Sequence, residues 1–483
     1  MKRKIALTTV LTAAALIAPA AALAAPPVPD HADAVEALQE ARAALGTEFS
    51  TASAPDRDLS STLRALAVAL PALHGEQRKQ AVDLLRRPSD RSDRDYFGKE
   101  ASGSPICDAN FCVHWTEKEK RNAPASHDFL AAVQESLATS YDVENGTLGW
   151  QQAKSDGTRG ARHGVGGDGQ VDVYITNLGK RLYGYAAPDP RQRGTRRFAY
   201  LVLDNDYKGF PSSPINSLKV TVAHEYNHVL QFNYDTFQDP WLFEDTATWM
   251  EEQVYPQIND YLNYLPAFAK GSEVPMTGSS IKIYAEAVFN HWLSGHYGAQ
   301  VIRDVWAASQ AGVKPKHLAT AAYTAGVTTD GGTPFATEFG EFAAATAEWR
   351  SSSFFPDASA YPNVRRTGTL TSKPKQVTLD NTSFRLVKVN PVSGPVTLKV
   401  KVKGGTPSTI ALIGREGPEV GGTVTTQVVQ LPSGGTGTVT LDDAAKYSRI
   451  TAAVNNTDGR SKGFRRGVRR YTGDGTSYKY SLG

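Results

Sequence analysis

Residues 221–232 read TVAHEYNHVLQF, which sets His224, Glu225 and His228 in the spacing H-E-x-x-H. In a chain of 483 residues with 10 His and 49 acidic residues, chance supplies about 0.02 such matches. Val222, Ala223, Val229 and Leu230 are apolar, Tyr226 and Asn227 are uncharged, and no Pro or Gly interrupts the run. This pattern predicts a helix packed into a core, with residues four apart stacked on one face. A zinc site needs such geometry, because two imidazole nitrogens must approach one ion to about 2 Å from the same side. Glu225, the next residue round the helix, reaches water beside the ion without being a ligand. The competing reading is a buried amphipathic helix whose histidines are satisfied by ordinary hydrogen bonds.

A catalytic zinc takes three protein ligands and keeps one position open. The continuation H-E-x-x-H-x-x-G-x-x-H fails, since Gln231 replaces the Gly and Tyr234 the third His. Downstream, DPWLFEDTATWMEEQVYP (239–256) reads as a second helix starting near Trp241. The turn NYDTFQDP (233–240) folds it back on the first, and Ala247 is small enough for close packing. Glu244, 16 residues after His228, is the third-ligand candidate. Asp235, Asp239, Glu251 and Glu252 are rivals. The two Asp lie in the turn, and Glu251 and Glu252 read as a solvated face.

His224-Glu225-x-x-His228 followed by WLFEDTATW resembles the gluzincins, the thermolysin and aminopeptidase N group of zinc peptidases. It is most similar to a family of secreted bacterial metalloproteases with HE-x-x-H-x-x-Q-F and E-G-T-A-T-W-M-E-D-x-V-Y segments. GGDGQVDVYITNLG (166–179) and YGYAAPD (183–189) match a further block, so the likeness covers roughly residues 105–350. The resemblance implies a gluzincin-like fold, one zinc ion, and Glu244 as third ligand. The spacing to Glu244 is shorter than usual in gluzincins. Thr248 stands where thermolysin-like enzymes carry an Asp that orients a ligand His, and G-x-M-E-N is absent, which disfavours aminopeptidase action.

The implied chemistry is peptide hydrolysis. Zinc lowers the pKa of its water towards ~7 and polarises the scissile carbonyl, and Glu225 passes the water's proton to the leaving amine. Tyr284, in IKIYAEAVFNHWL, is the candidate donor to the developing oxyanion and resembles the Tyr of the aminopeptidase N segment Y-x-K-G. A core tyrosine is the other reading of Tyr284, and His291 and His296 are alternatives for the donor.

Outside this block the chain divides by texture. Residues 1–25 carry a basic start (MKRK), an apolar core and a small-residue ALAA end, the pattern of a secretory signal peptide cut near Ala24 or Ala25. Residues 26–98 form a helical leader or propeptide, with Leu59, Leu63, Leu66 and Leu70 at helical spacing and a polar, exposed RRPSDRSDRD (86–95). Residues 99–358 form the catalytic domain, with strands at FCVHW, VDVYITNLG and FAYLVLDNDY ahead of the helices. Residues 359–483 form an antiparallel β-sandwich of about six strands. In PVTLKVKVKGG, Val396, Leu398, Val400 and Val402 alternate with Thr397, Lys399, Lys401 and Lys403. The fold class is α+β.

With 40% hydrophobic and 21% charged residues the chain is globular, and a net charge of +3 argues against a dedicated nucleic-acid binder. No later segment is long and apolar enough for a membrane span. Export favours a Cys107–Cys112 disulfide. Asp168 and Asp172 sit in a Gly-rich loop that reads either as a calcium site or as a plain turn before a strand. Arg460, Lys462, Arg465, Arg466, Arg469 and Arg470 read either as a contact for an anionic cell-surface polymer or as a solvated strand edge. Two functions follow: a secreted zinc endopeptidase acting on protein or peptide, or a cell-surface or cell-wall binding protein that keeps the zincin scaffold without significant peptidase activity.

Overall fold

The computed structural model describes residues 29–45, 59–91, 96–159, 169–179, 182–190, 192–278, 280–432, 435–465, 468–471 and 475–483. The signal-like residues 1–25 lie outside these. The leader forms helices α1 (His31–Leu45), α2 (Ser60–Ala69) and α3 (Gly75–Leu84), with Pro71 turning the chain out of α2. Leu59, Leu63, Leu66 and Leu70 are buried, as their spacing requires. They pack on a sheet through Tyr174, Tyr185, Tyr200 and Val202, so the leader shares a hydrophobic core with the rest of the chain.

That sheet contains β1 (Ile106–Cys107), β2 (Phe111–His114), β3 (Val171–Thr176), β4 (Gly184–Pro188) and β5 (Ala199–Asp204), in the order β1-β2-β3-β5-β4. The three central strands run parallel, and β1 and β4 are antiparallel edges. The expected strands are β2, β3 and β5. The edge strand β4 was not expected, since its GYAAP sequence has no apolar–polar alternation. The Cys107–Cys112 disulfide is present and joins directly opposed residues of β1 and β2. Helix α4 (His127–Tyr141) begins at a Ser126 cap and runs into a wider turn, Asp142–Thr147.

The second face of the sheet carries α5 (Pro214–Asp235), which contains residues 221–232. Ser213 accepts the Asn216 N–H and Pro214 opens the first turn, so the helix starts without stranded donors. From Val220 to Asp235 every residue is buried, which requires a partner on each face. These are the sheet, α4, α6 (Pro240–Val254) and α10 (Gln300–Ala311), and the helical region also holds α7 (Leu265–Lys270), α8 (Lys282–Ala285), α9 (Ala287–Tyr297), α11 (Ala319–Thr329) and α12 (Phe335–Ala345). Strands precede helices and the H-E-x-x-H helix is the first past the sheet, so the chain is α+β. No helix among the described residues is long and apolar enough to cross a membrane.

The C-terminal strands are β6 (Arg366–Leu370), β7 (Lys375–Leu379), β8 (Ser383–Val389), β9 (Val396–Val402), β10 (Ser408–Glu416), β11 (Thr423–Gln430), β12 (Thr436–Leu441), β13 (Arg449–Asn456), β14 (Ser461–Arg465), β15 (Val468–Tyr471) and β16 (Thr476–Leu482). Two sheets, β11-β10-β13-β8-β6 and β12-β9-β16-β7, enclose a core that includes Val396, Leu398, Val400 and Val402. The pairings are antiparallel except β6 with β8, which is parallel. The outer face of the first sheet is also buried, with Leu386, Ala411, Ile413 and Ala453 joining the helical core. This explains the continuous apolar run of β10.

One charged segment differs from expectation. Arg87 in RRPSDRSDRD is buried and pairs with Asp156 at 2.7 Å, with Asp189 at 2.5 Å and with Asp172. The leader carries it to the carboxylates at one end of the sheet, where burial demands a counter-charge. Asp172, within strand β3, also accepts from His114 Nε2 at 2.8 Å and is an ion-pair partner of Arg87. Asp168 lies outside the described residues. In the basic tail, Arg460 pairs with Asp458 at 2.9 Å, and the side chains of Arg465, Arg466, Arg469 and Arg470 lie outside the described residues. Tyr471 reaches back to the start of α6, accepting from Trp241 Nε1 at 2.9 Å and donating to Asp239.

Candidate metal centre

Helix α5 holds His224 and His228 one turn apart, with ring centroids separated by 4.7 Å and planes almost perpendicular. After the turn at 236–239, α6 packs back against it with Glu244 facing the pair. Glu244 Oε2 lies 3.4 Å from His224 Nε2 and 3.5 Å from His228 Nε2. All three side chains are buried, and one ligand atom from each lies within 4.8 Å of the others.

These separations are long for hydrogen bonds but suit a shared ion. Two donors each bonded to a tetrahedral first-row divalent ion at ~2.1 Å lie about 3.4 Å apart. Among the described residues, the fully buried His228 Nε2 has no hydrogen-bond partner, an expensive state unless an ion completes it. His224, His228 and Glu244 therefore form a group that can hold a metal ion.

Each imidazole is fixed through its other nitrogen. His224 Nδ1 lies 2.8 Å from Glu251 Oε1, and His228 Nδ1 lies 2.7 Å from Gln231 Oε1. Both partners are acceptors, so the ring protons sit on Nδ1 and the Nε2 lone pairs face the site. Gln231 has its orientation imposed: Nε2 donates to the Phe243 carbonyl at 3.1 Å, to Thr246 Oγ1 at 2.9 Å and to Asn227 Oδ1 at 2.6 Å. Asn227 in turn donates to Glu144 at 3.0 Å, whose carboxyl is pushed well above its usual range by burial.

Glu251 and Glu252 are thus no solvated face. Glu251 is seven residues beyond Glu244 and on the same side of α6, and it supplies the carboxylate that Thr248 lacks. Glu252 is also buried, and burial, with Asp357 and Glu251 nearby, holds its carboxyl up at about 9. The other rivals are engaged elsewhere. Asp235 takes His317 Nδ1 at 2.7 Å and Ser309 Oγ at 2.9 Å, while Asp239 takes the Ala319 N–H at 2.9 Å.

Sequence reasoning missed the roles of Gln231 and Glu251. The signals were available as intervals: three residues after a ligand His, and two helical turns after a ligand Glu.

Glu225 is also buried, stands outside the three-residue ligand group and accepts from Ser60 Oγ at 2.8 Å. Edge strand β4 passes beside it, and a Cβ on Gly184 would stand 3.4 Å from Glu225 Cγ. Ser60 Oγ accepts the Ala186 N–H of β4 at 2.7 Å, and Ser61 Oγ donates to Glu244 Oε1. Arg64, one turn further along α2, donates to the carbonyls of Thr236 and Gln238, each at 2.9 Å, and lies over the Phe243 ring.

Tyr284 is brought to the site, its ring 6.3 Å from that of His224. The two alternatives are not part of the metal group. His291 packs on Tyr261, and burial lowers its imidazole to about 3. His296 donates from Nδ1 to the Trp292 carbonyl at 2.8 Å and stacks on Phe354.

The model of a family of unknown function, DUF6055, matches residues 211–409. That segment holds α5, α6, the remaining helices and the first strands of the sandwich. No curated protein matches the sequence.

Proposed function

We propose that the chain is a secreted zinc-dependent endopeptidase of the gluzincin type, with His224, His228 and Glu244 as ligands and Glu225 as general base. The observation that carries this reading is the ligand group itself: three buried donor atoms within 4.8 Å of one another, with Glu244 Oε2 at 3.4 and 3.5 Å from the two imidazole nitrogens, beside a carboxylate that does not join them. The two Nδ1 contacts support it, because with both Nδ1–H groups bonded outward the two Nε2 lone pairs are left for an ion.

When bound, zinc supplies Lewis acidity toward a substrate carbonyl and water. The remaining work belongs to side chains. Glu225 takes the proton of the attacking water and returns it to the leaving amine nitrogen. Tyr284 donates a hydrogen bond to the oxygen that gains charge. Glu251 and Gln231 hold the two rings against rotation. The signal-like residues 1–25 and the Cys107–Cys112 bond support export, which the intact mass of protein recovered from the medium tests.

The decisive measurement is zinc per chain after dialysis against a weak chelator, beside hydrolysis of an unfolded protein by wild type and by Arg64→Glu protein. Glu225→Gln, in either background, should keep its zinc and lose about 10²–10⁴-fold in rate. Glu244→Ala should lose the metal. A wild-type chain that binds no zinc rejects the site. A zinc-loaded chain inactive in both backgrounds leaves the binding-protein reading.

A further inference from the structure

We propose that α2 of the leader is an autoinhibitory latch, keeping the chain latent until the leader leaves the site. This rests on the metal-hydrolase reading above and adds its regulation.

The first two residues of α2 occupy the groups that a substrate would need. Ser60 Oγ donates to the proposed base Glu225 at 2.8 Å and accepts the Ala186 N–H of the edge strand at 2.7 Å. Ser61 Oγ donates to Glu244, the third ligand of the group. An extended peptide docking on a sheet edge uses that strand's main-chain N–H groups, and Ser60 already satisfies that of Ala186. The N-terminus of α2 has no side-chain cap at Leu59. His224, Glu225, His228 and Glu244 are all at most 3% exposed with the leader in place. A peptide cannot reach them in this state.

The latch is anchored behind its tip. Arg64 is buried and bonded to the carbonyls of Thr236 and Gln238. Asp239, Glu244 and Asp235 surround its charge. Arg197 donates to the Ala67 carbonyl at 2.9 Å from the body of the protein. Leu63, Leu66 and Leu70 bury against the sheet, and Arg87 ties down the far end of the leader. A surface helix that merely covered the sheet would need the leucines, but not serines aimed at the base and the ligand.

The test uses the full chain in wild-type, Arg64→Glu and Ser60→Ala/Ser61→Ala forms. Three quantities are read: the rate of zinc uptake by metal-free protein, amide hydrogen exchange at α2 and at Ala186, and hydrolysis of an unfolded protein. Arg64→Glu sets a negative charge among Asp235, Asp239 and Glu244, so it should speed zinc uptake by about 10²-fold and release Ala186 to exchange. The double alanine variant keeps the leucine packing, should fold as wild type, and should give a smaller rise of about tenfold in both. A parallel rise in hydrolysis supports latch and peptidase together. Faster uptake and exchange with no hydrolysis keeps the latch and overturns the peptidase reading. The latch is refuted if α2 exchanges freely in Arg64→Glu while zinc uptake stays at the wild-type rate. Should Arg64→Glu fail to fold, wild-type uptake and Ala186 exchange in the double alanine variant refute it equally.

Discussion

Replacing Glu251 by Ala tests whether the second carboxylate of α6 orients the metal site or merely neighbours it. Glu251 Oε1 lies 2.8 Å from His224 Nδ1, and both side chains are buried. Removing the acceptor strands a buried N–H, which costs about 1–3 kcal/mol. The imidazole escapes that cost by rotating or by moving its proton to Nε2, and either change withdraws a donor from the ligand group. Loss of such an orienting partner weakens metal binding by about 10–100-fold, which is about 1.4–2.8 kcal/mol. The two magnitudes agree, so Glu251→Ala should bind zinc about 10–100-fold more weakly while still holding it in excess metal. Glu251→Gln keeps an acceptor oxygen and should lose less than about tenfold. Glu252→Gln, buried but outside the ligand group, should bind as wild type. The assay is competition for zinc against a chromophoric chelator, with circular dichroism to establish the fold. Wild-type affinity in Glu251→Ala refutes the orienting role. Complete loss of zinc in Glu251→Ala, with retention in Glu244→Ala, shows that the two carboxylates have exchanged parts.

Gly184→Ala adds a Cβ that would meet Thr221 Cγ2 at 2.8 Å and the Val202 carbonyl at 2.9 Å. It should push β4 from α5 and cost about 1–3 kcal/mol in urea unfolding, and an unchanged midpoint would show that β4 shifts freely. Glu252 has a folded pKa raised from 4.5 to about 9. The folded state therefore holds a proton that the unfolded state has lost, and stability falls as pH rises between those values. Glu252→Gln removes that slope, so its advantage over wild type in thermal unfolding should grow from about pH 5 to pH 8, and a pH-independent difference contradicts the assignment. Tyr284→Phe, measured in the Arg64→Glu background, should lower kcat about 10²-fold with zinc content unchanged, and near-normal kcat removes Tyr284 from the mechanism.

The sequence alone determined the parts of this protein that local periodicity encodes. His224 and His228 share a face because they are four residues apart on a helix, and Glu244 faces them because a short turn leaves the second helix little freedom. The alternation in β9 fixed which of its side chains enter the sandwich core. Tertiary structure decided the rest, because those features depend on which distant surfaces meet. Glu251 and Glu252 are acidic residues on a stretch that reads as solvated, yet both are buried by what packs on α6. Strand β4 has no pattern of its own and exists because β5 offers it an edge. Arg87 and Asp172, 85 residues apart, read separately as an exposed charge and as part of a loop that is either a calcium site or a plain turn. Folding makes them one ion pair, since neither charge can be buried without the other. The placement of Ser60 on Glu225, across 165 residues, follows from the leader packing on the sheet, and no interval in the sequence records a contact between two surfaces that meet only when the chain has folded.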